Sequence, residues 1–171
     1  MHYSISKATI TLFTFLAIGV ILALPQETQS MTSKVRLQRA EGQSIVYYLA
    51  DDGFRYRIPD EKIYFSWFQT FKDVRVVKAD ALPEYPLGEL DVTVRPGVAL
   101  VRFSDSNKVY AVDIGARLRW ITSEHGARAL YGSRWNTRII ILPVTARSQY
   151  IIGEDITEAK QFSRNSVVVA S

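Results

Sequence analysis

From Ala8 to Leu24 the chain reads ATITLFTFLAIGVILAL, an apolar run without a charge. MHYSISK precedes it, carrying the amino terminus and Lys7; Pro25 and the polar QETQS follow. Positive charge first and an apolar core second is the order of a secretory leader. The positive flank stays in the cytoplasm, so the rest of the chain is expected outside it. The nearest match to a small-residue cleavage site is Thr28-Gln29-Ser30. An uncleaved anchor needs about 20 apolar residues, about 17 at the short end, and the run sits at that lower edge. Residues 1–30 are thus expected to form a signal peptide or an N-terminal membrane anchor. A helix buried in the core fits these flanks less well.

Beyond the leader the hydrophobic pattern changes to short runs, and two stretches read alike. Val46 to Glu61 is VYYLADDGFRYRIPDE, and Val109 to Glu124 is VYAVDIGARLRWITSE. They align without gaps at an offset of 63, and the later pair Tyr85–Glu89 and Tyr150–Glu154 aligns at 65. Each stretch follows a short strand, Val35–Arg39 or Leu100–Phe103. Each then folds back at an Asp/Gly turn, Asp51-Asp52-Gly53 or Asp113-Ile114-Gly115, because these residues accept the backbone of tight hairpins. A helix follows, opened by Asp60 before EKIYFSWFQTF or by Ser123 before EHGARALYG, whose side chains accept the free amides of the first turn. Glu61 and Glu124 suit the positive helix end. A β-rich run closes each copy, Val74–Val77 or Ile139–Leu142. The expected fold is therefore α+β: an N-terminal apolar helix followed by two tandem β-hairpin–helix–strand units. A duplicated module over 31–156 is expected, with units at about 35–91 and 98–156. Residues 157–171 form a tail, either a loose helix and strand or disordered.

These positions resemble a tandem repeat found in secreted and cell-surface proteins of bacteria, frequent in the host-dependent candidate phyla. The pattern is carried by Val46–Leu49, Gly53, Tyr56, Pro59, Glu61, Tyr64–Phe68, Tyr85–Gly88 and Val92–Gly97. It continues through Val109–Val112, Leu118–Ile121, Glu124, Ala129–Gly132 and Trp135. The match covers about Val35 to Ile156 and departs at Arg147–Tyr150, where a more aromatic or acidic run is the rule. The resemblance implies a surface module without enzymatic residues.

Composition narrows the chemistry. The chain has 171 residues, 47% of them hydrophobic, and a net charge of +4. The basic residues are scattered, whereas a nucleic-acid footprint clusters on one face, so no nucleic-acid partner is expected. Cysteine is absent, which removes disulfides, thiolate metal sites and cysteine nucleophiles. Of the two histidines, His2 lies in the leader and His125 stands beside Glu124 on a helix surface, so neither a catalytic triad nor a histidine metal cluster is indicated. Asp51-Asp52 and Asp105-Ser106-Asn107 offer oxygens without calcium-loop spacing, and turn chemistry accounts for them. No phosphate-binding glycine loop and no acid pair for hydrolysis is indicated. The expectation is no catalytic residue, no cofactor and no metal.

The aromatics are the remaining candidates. Tyr64, Trp67, Phe68 and Phe71 fall at i, i+3, i+4 and i+7, a core stripe on the first helix, and Phe65 lies off it. Phe65, Trp120 and Trp135, with Arg117 and Arg119, are the candidate contacts for a glycan or protein partner. The competing reading makes the aromatics core and lays the arginines over them. The expected protein is an exported, non-enzymatic structural or adhesive module of the cell envelope, secreted or membrane-anchored. Its expected partners are a cell-envelope polymer or surface protein, and the membrane through residues 8–24 if these are not cleaved. The alternative is a carbohydrate-binding module recognising envelope glycan through exposed aromatics.

Overall fold

The computed structural model describes residues 36–170. The leader, with its expected apolar helix, lies outside them. The described chain is mixed α+β, with two sheets and three short helices.

The first sheet contains β1 (Leu37–Ala40), β2 (Val46–Leu49), β3 (Arg55–Ile58) and β4 (Val74–Val77), in the order β3-β2-β1-β4. β1–β2 and β2–β3 are antiparallel and β1–β4 is parallel. The β2–β3 hairpin closes where Asp52 accepts from the Phe54 amide at 2.9 Å and from the Tyr56 hydroxyl at 2.5 Å. Helix α1 (Glu61–Trp67) bridges β3 and β4, opened by the Asp60 carboxylate, which accepts from the Lys62 amide at 2.7 Å.

The second sheet contains β5 (Leu100–Phe103), β6 (Tyr110–Asp113), β7 (Arg117–Trp120), β8 (Ile139–Leu142) and β9 (Ile151–Ile152), in the order β8-β5-β6-β7-β9. Helix α2 (Glu124–Tyr131) bridges β7 and β8, opened by Ser123 Oγ, which accepts from the Gly126 amide. The antiparallel pairings of the first sheet recur at a constant offset. Leu37↔Tyr48 has its counterpart in Leu100↔Ala111, and Tyr47↔Arg57 in Tyr110↔Trp120, both at 63. The parallel pair Leu37↔Val74 corresponds to Leu100↔Ile139, with the second partner offset by 65. The closing backbone bonds follow suit: Gly88 donates to the Arg55 carbonyl, and Gly153 to that of Leu118.

One core spans both sheets. Leu37, Val46, Ile58, Ile63 and Tyr64 from the first sheet and α1 join Val101, Phe103, Tyr110, Val112, Leu118, Ile140 and Leu142 from the second. Val94, in the connector and fully buried, belongs to the same cluster. The connector is tied on both sides: Trp67 Nε1 donates to the Thr93 carbonyl at 2.7 Å, and the Val94 amide to the Tyr150 hydroxyl at 3.1 Å. On the opposite face of the second sheet, Leu100, Ala111 and Ile121 pack with α2, Phe162 and Val167. The layers therefore run first sheet, α1 with connector, second sheet, α2 with tail.

The two ends of this stack differ from its middle. At the positions equivalent to buried Val101, Phe103, Leu118 and Ile140, the outer face of the first sheet carries Gln38, Ala40, Arg55 and Arg75. Arg55 lies over the Tyr47 ring and donates to the carbonyls of Leu82 and Tyr85. On this face Ala40 and Leu49 are buried, Gln38 and Arg55 half-buried and Arg75 exposed, so it carries more polar groups than its counterpart without being open to solvent throughout. At the other end the tail is ordered: α3 (Arg164–Ala170) follows Phe162, and Arg164 donates to the carbonyls of Gly97 and Leu130.

The first helix corrects the expected stripe. It ends at Trp67, with Phe68 already extended at φ −122° and ψ 152°. Phe71 therefore leaves the helix and is 46% exposed, not core. Two tertiary bonds hold the break: the Trp67 indole bond to the connector, and the Tyr64 hydroxyl, which donates to the Thr70 carbonyl at 2.8 Å. Phe71 folds back so that its ring stacks on Tyr64 at 4.3 Å. The first strand also begins later among the described residues, at Leu37, and reaches Ala40.

Candidate functional site

Trp120 and Trp135 meet at one groove. β7 delivers Trp120, and a 3₁₀ turn over Trp135–Arg138, which begins three residues beyond the Gly132 cap of α2, delivers Trp135. The groove encloses about 290 Å³ between the end of β7, the start of α2 and the loop before β6. Val109 and Ile121 form part of its lining; Asn107, Ser123 and Glu124 supply polar atoms. Both tryptophans are half-buried, and they pack against different core clusters, Trp120 against the shared core and Trp135 against the α2 layer. The Lys108 ammonium lies 4.1 Å from the centroid of the Trp120 ring, a cation–π contact that occupies one of its faces. Glu124 stays largely exposed and pairs with Arg128 at 2.9 Å.

The remaining candidate contacts go elsewhere. Arg119 does not serve the groove: its guanidinium donates to the carbonyls of Glu154 at 3.1 Å and Gln161 at 2.9 Å, pinning the tail to β7. Strand alternation puts Arg119 on the same face as Ile121, but further along β7, where the tail covers it and its guanidinium lies 6.0 Å from the Phe162 ring. Arg117 is exposed, and its stem packs so closely on Gly153 that a Cβ there would stand 2.6 Å from Cγ. Phe65 is 45% exposed on α1, edge-on to Phe71 at 5.1 Å between ring centroids, and thus belongs to the first sheet's surface. His125 is exposed.

A second groove lies beside Phe71, which the periodicity argument assigned to the core. It encloses about 420 Å³ and is lined by Ser44, Val46, Ile58, Glu61, Tyr64 and Phe71 among others. The signal that could have found it was the offset itself, read from the groove around Trp135 back into the first copy.

A third cavity of about 340 Å³ lies between the start of α1 and the turn after β8. Its charges are already matched: Arg57 grips Asp91 through two bonds of 2.9 and 2.6 Å, and the Gln149 side chain accepts from the Asp91 amide. That carboxylate, chiefly by hydrogen bonding, holds the Arg57 pKa above its ordinary value. At the cavity wall, burial pushes the Tyr150 phenol up to about 12. The tight Arg57–Asp91 pair reads as a clamp between β3 and the connector.

Among the described residues no group of three or more His, Asp or Glu side chains is gathered as metal ligands. Nor is any described helix long and apolar enough to cross a membrane. No family model, curated protein or solved structure matches the chain.

Proposed function

We propose that this chain is an exported, non-enzymatic module of the cell envelope, built from two tandem copies of one β-hairpin–helix–strand unit, with a structural or adhesive role. The observation that carries the reading is the recurrence of strand register at an offset of 63, with one core between the copies. Duplicated units that bury a shared face make rigid scaffolds that present surface features at repeated positions. The uncharged run from Ala8 to Leu24 supports export, secreted or anchored. The test is fractionation of the producing cell with N-terminal sequencing of the product. A chain starting near residue 30, or retained in the membrane with its body accessible to external protease, is the expected result. A soluble cytoplasmic chain starting at Met1 refutes export.

A second reading, recognition of envelope glycan, is favoured by one observation: Trp120 and Trp135 line a single groove together with Glu124 and Asn107. Aromatic faces flanked by hydrogen-bonding groups suit the apolar face and hydroxyl rim of a sugar. Binding to a glycan panel that disappears in Trp135→Ala, with the fold preserved, is its expected signature. Silence across the panel leaves the structural role alone.

A further inference from the structure

We infer that the module has two equivalent binding grooves, one per unit, and that together they hold successive parts of a repeating, neutral, N-acetylated sugar polymer. This rests on the glycan reading above and extends it to a second site.

The grooves beside Phe71 and Trp135 are built from the same positions. Their apolar floor is Val46 with Ile58 in the first unit and Val109 with Ile121 in the second, each residue displaced by 63. Their rims carry Ser44 and Glu61 in one, and Asn107 and Glu124 in the other, at the same offset. An aromatic ring completes each groove, Phe71 or Trp135, offset by 64 across the loop where the copies differ in length. Each ring comes from the segment after its helix, yet the local structures differ: a bend in the first unit, a 3₁₀ turn in the second. Core positions in a duplication match because packing demands it. Glu61 and Glu124 also suit their helix starts; what the fold alone does not ask for is an aromatic ring beside the same valine–isoleucine floor in both units, and that agreement points to a shared ligand.

The chemistry common to both grooves selects its class. At the first rim Glu61 disfavours anionic ligands; at the second Glu124 is paired with Arg128, and both carboxylates can accept from hydroxyls. The ring offers a flat apolar face; in the first unit the Tyr64 ring stacks on one face of Phe71 and leaves the other for a ligand. The valine–isoleucine floor takes a methyl group, which an N-acetyl substituent provides. A wholly apolar ligand would leave the rim groups unpartnered, which disfavours it. In the second groove Lys108 covers one face of Trp120, so Trp135 is the ring available for stacking. Two linked sites convert weak single contacts into avidity, provided one polymer reaches both.

The test is calorimetric titration of the full chain with the single sugar and the hexamer of β-1,4-linked N-acetylglucosamine. The hexamer is expected to bind on the order of 10²-fold more tightly than the single sugar. Phe71→Ala and Trp135→Ala are each expected to bring the hexamer down toward the single sugar, and the double variant to abolish binding. Glu61→Gln and Glu124→Gln alter exposed rim groups and serve if either alanine variant unfolds; each should weaken the hexamer several-fold. Loss of binding through changes at Trp135 and Glu124, with none through Phe71 and Glu61, overturns the two-groove inference and leaves the glycan reading standing. A hexamer that binds no better than the single sugar also overturns it. A wild-type chain that binds neither probe overturns both.

Discussion

Leu118 and Arg55 hold equivalent positions in the two sheets, and exchanging their characters tests how differently the two faces are packed. Leu118 is fully buried in the shared core, facing the layer of α1 and the connector. Leu118→Arg removes a leucine whose burial is worth about 1.5–3 kcal/mol. It also places an unpaired charge inside, and the combined cost exceeds about 4 kcal/mol. Total stability for a domain is about 5–15 kcal/mol, so the variant should be unfolded or nearly so. The converse change is mild. Arg55→Leu loses the bonds to the Leu82 and Tyr85 carbonyls and the contact with the Tyr47 ring. It also removes Arg55 Nε, which is buried without a partner. The net cost is about 1–2 kcal/mol. Urea unfolding followed by circular dichroism measures both. Equal losses, or a larger loss for Arg55→Leu, would refute the assignment of an inner and an outer face.

Three further outcomes follow from single contacts. Asp60→Ala removes the acceptor for the Lys62 and Ile63 amides, and should cost about 1 kcal/mol in denaturant unfolding, with Asp60→Ser recovering most of it. Gly88→Ala places a Cβ into the Tyr56 ring, which Asp52 holds from the other side, so a loss of about 1–3 kcal/mol is expected in the same assay. Tyr150 has a folded pKa raised to about 12 from 10.0, so its contribution is complete below pH 10 and declines as pH rises from 10 toward 12. Thermal melts of wild type should therefore fall over that window, and fall less steeply in Tyr150→Phe, whose own cost near neutral pH is about 1 kcal/mol for the lost Val94 bond.

The parts of the fold legible beforehand were those written in local chemistry. Asp60 and Ser123 announce helix starts because capping is a bond between near neighbours, and Asp52-Gly53 announces a hairpin for the same reason. The offset of 63 between the two like stretches recurs in the strand register of the two sheets. What failed depended on partners far along the chain. The end of α1 is set by Trp67 reaching the Thr93 carbonyl, a contact across 26 residues that no helical period encodes. Phe71 could then turn out to the groove, although its spacing from Tyr64 matched a stripe. Arg119 looked like a free contact residue because its hydrogen-bond acceptors, the Glu154 and Gln161 carbonyls, are distant backbone groups, although its ion pair with Asp113 at 3.6 Å lies within the hairpin. The tail looked weak because its apolar residues, Phe162 and Val167 among them, fill a layer built mostly by other segments.

The claim beneath all of this is that the two units fold as one body around a common core, and the three tryptophans permit a direct measurement. Trp67 reports on the first unit, and Trp120 with Trp135 on the second. Fluorescence-monitored urea unfolding of Trp67→Phe, and of the paired Trp120→Phe and Trp135→Phe variant, should each match that variant's own circular dichroism transition at a single midpoint. In either variant, a fluorescence midpoint clearly separated from the circular dichroism midpoint would mean that the units unfold independently, and would contradict the shared core.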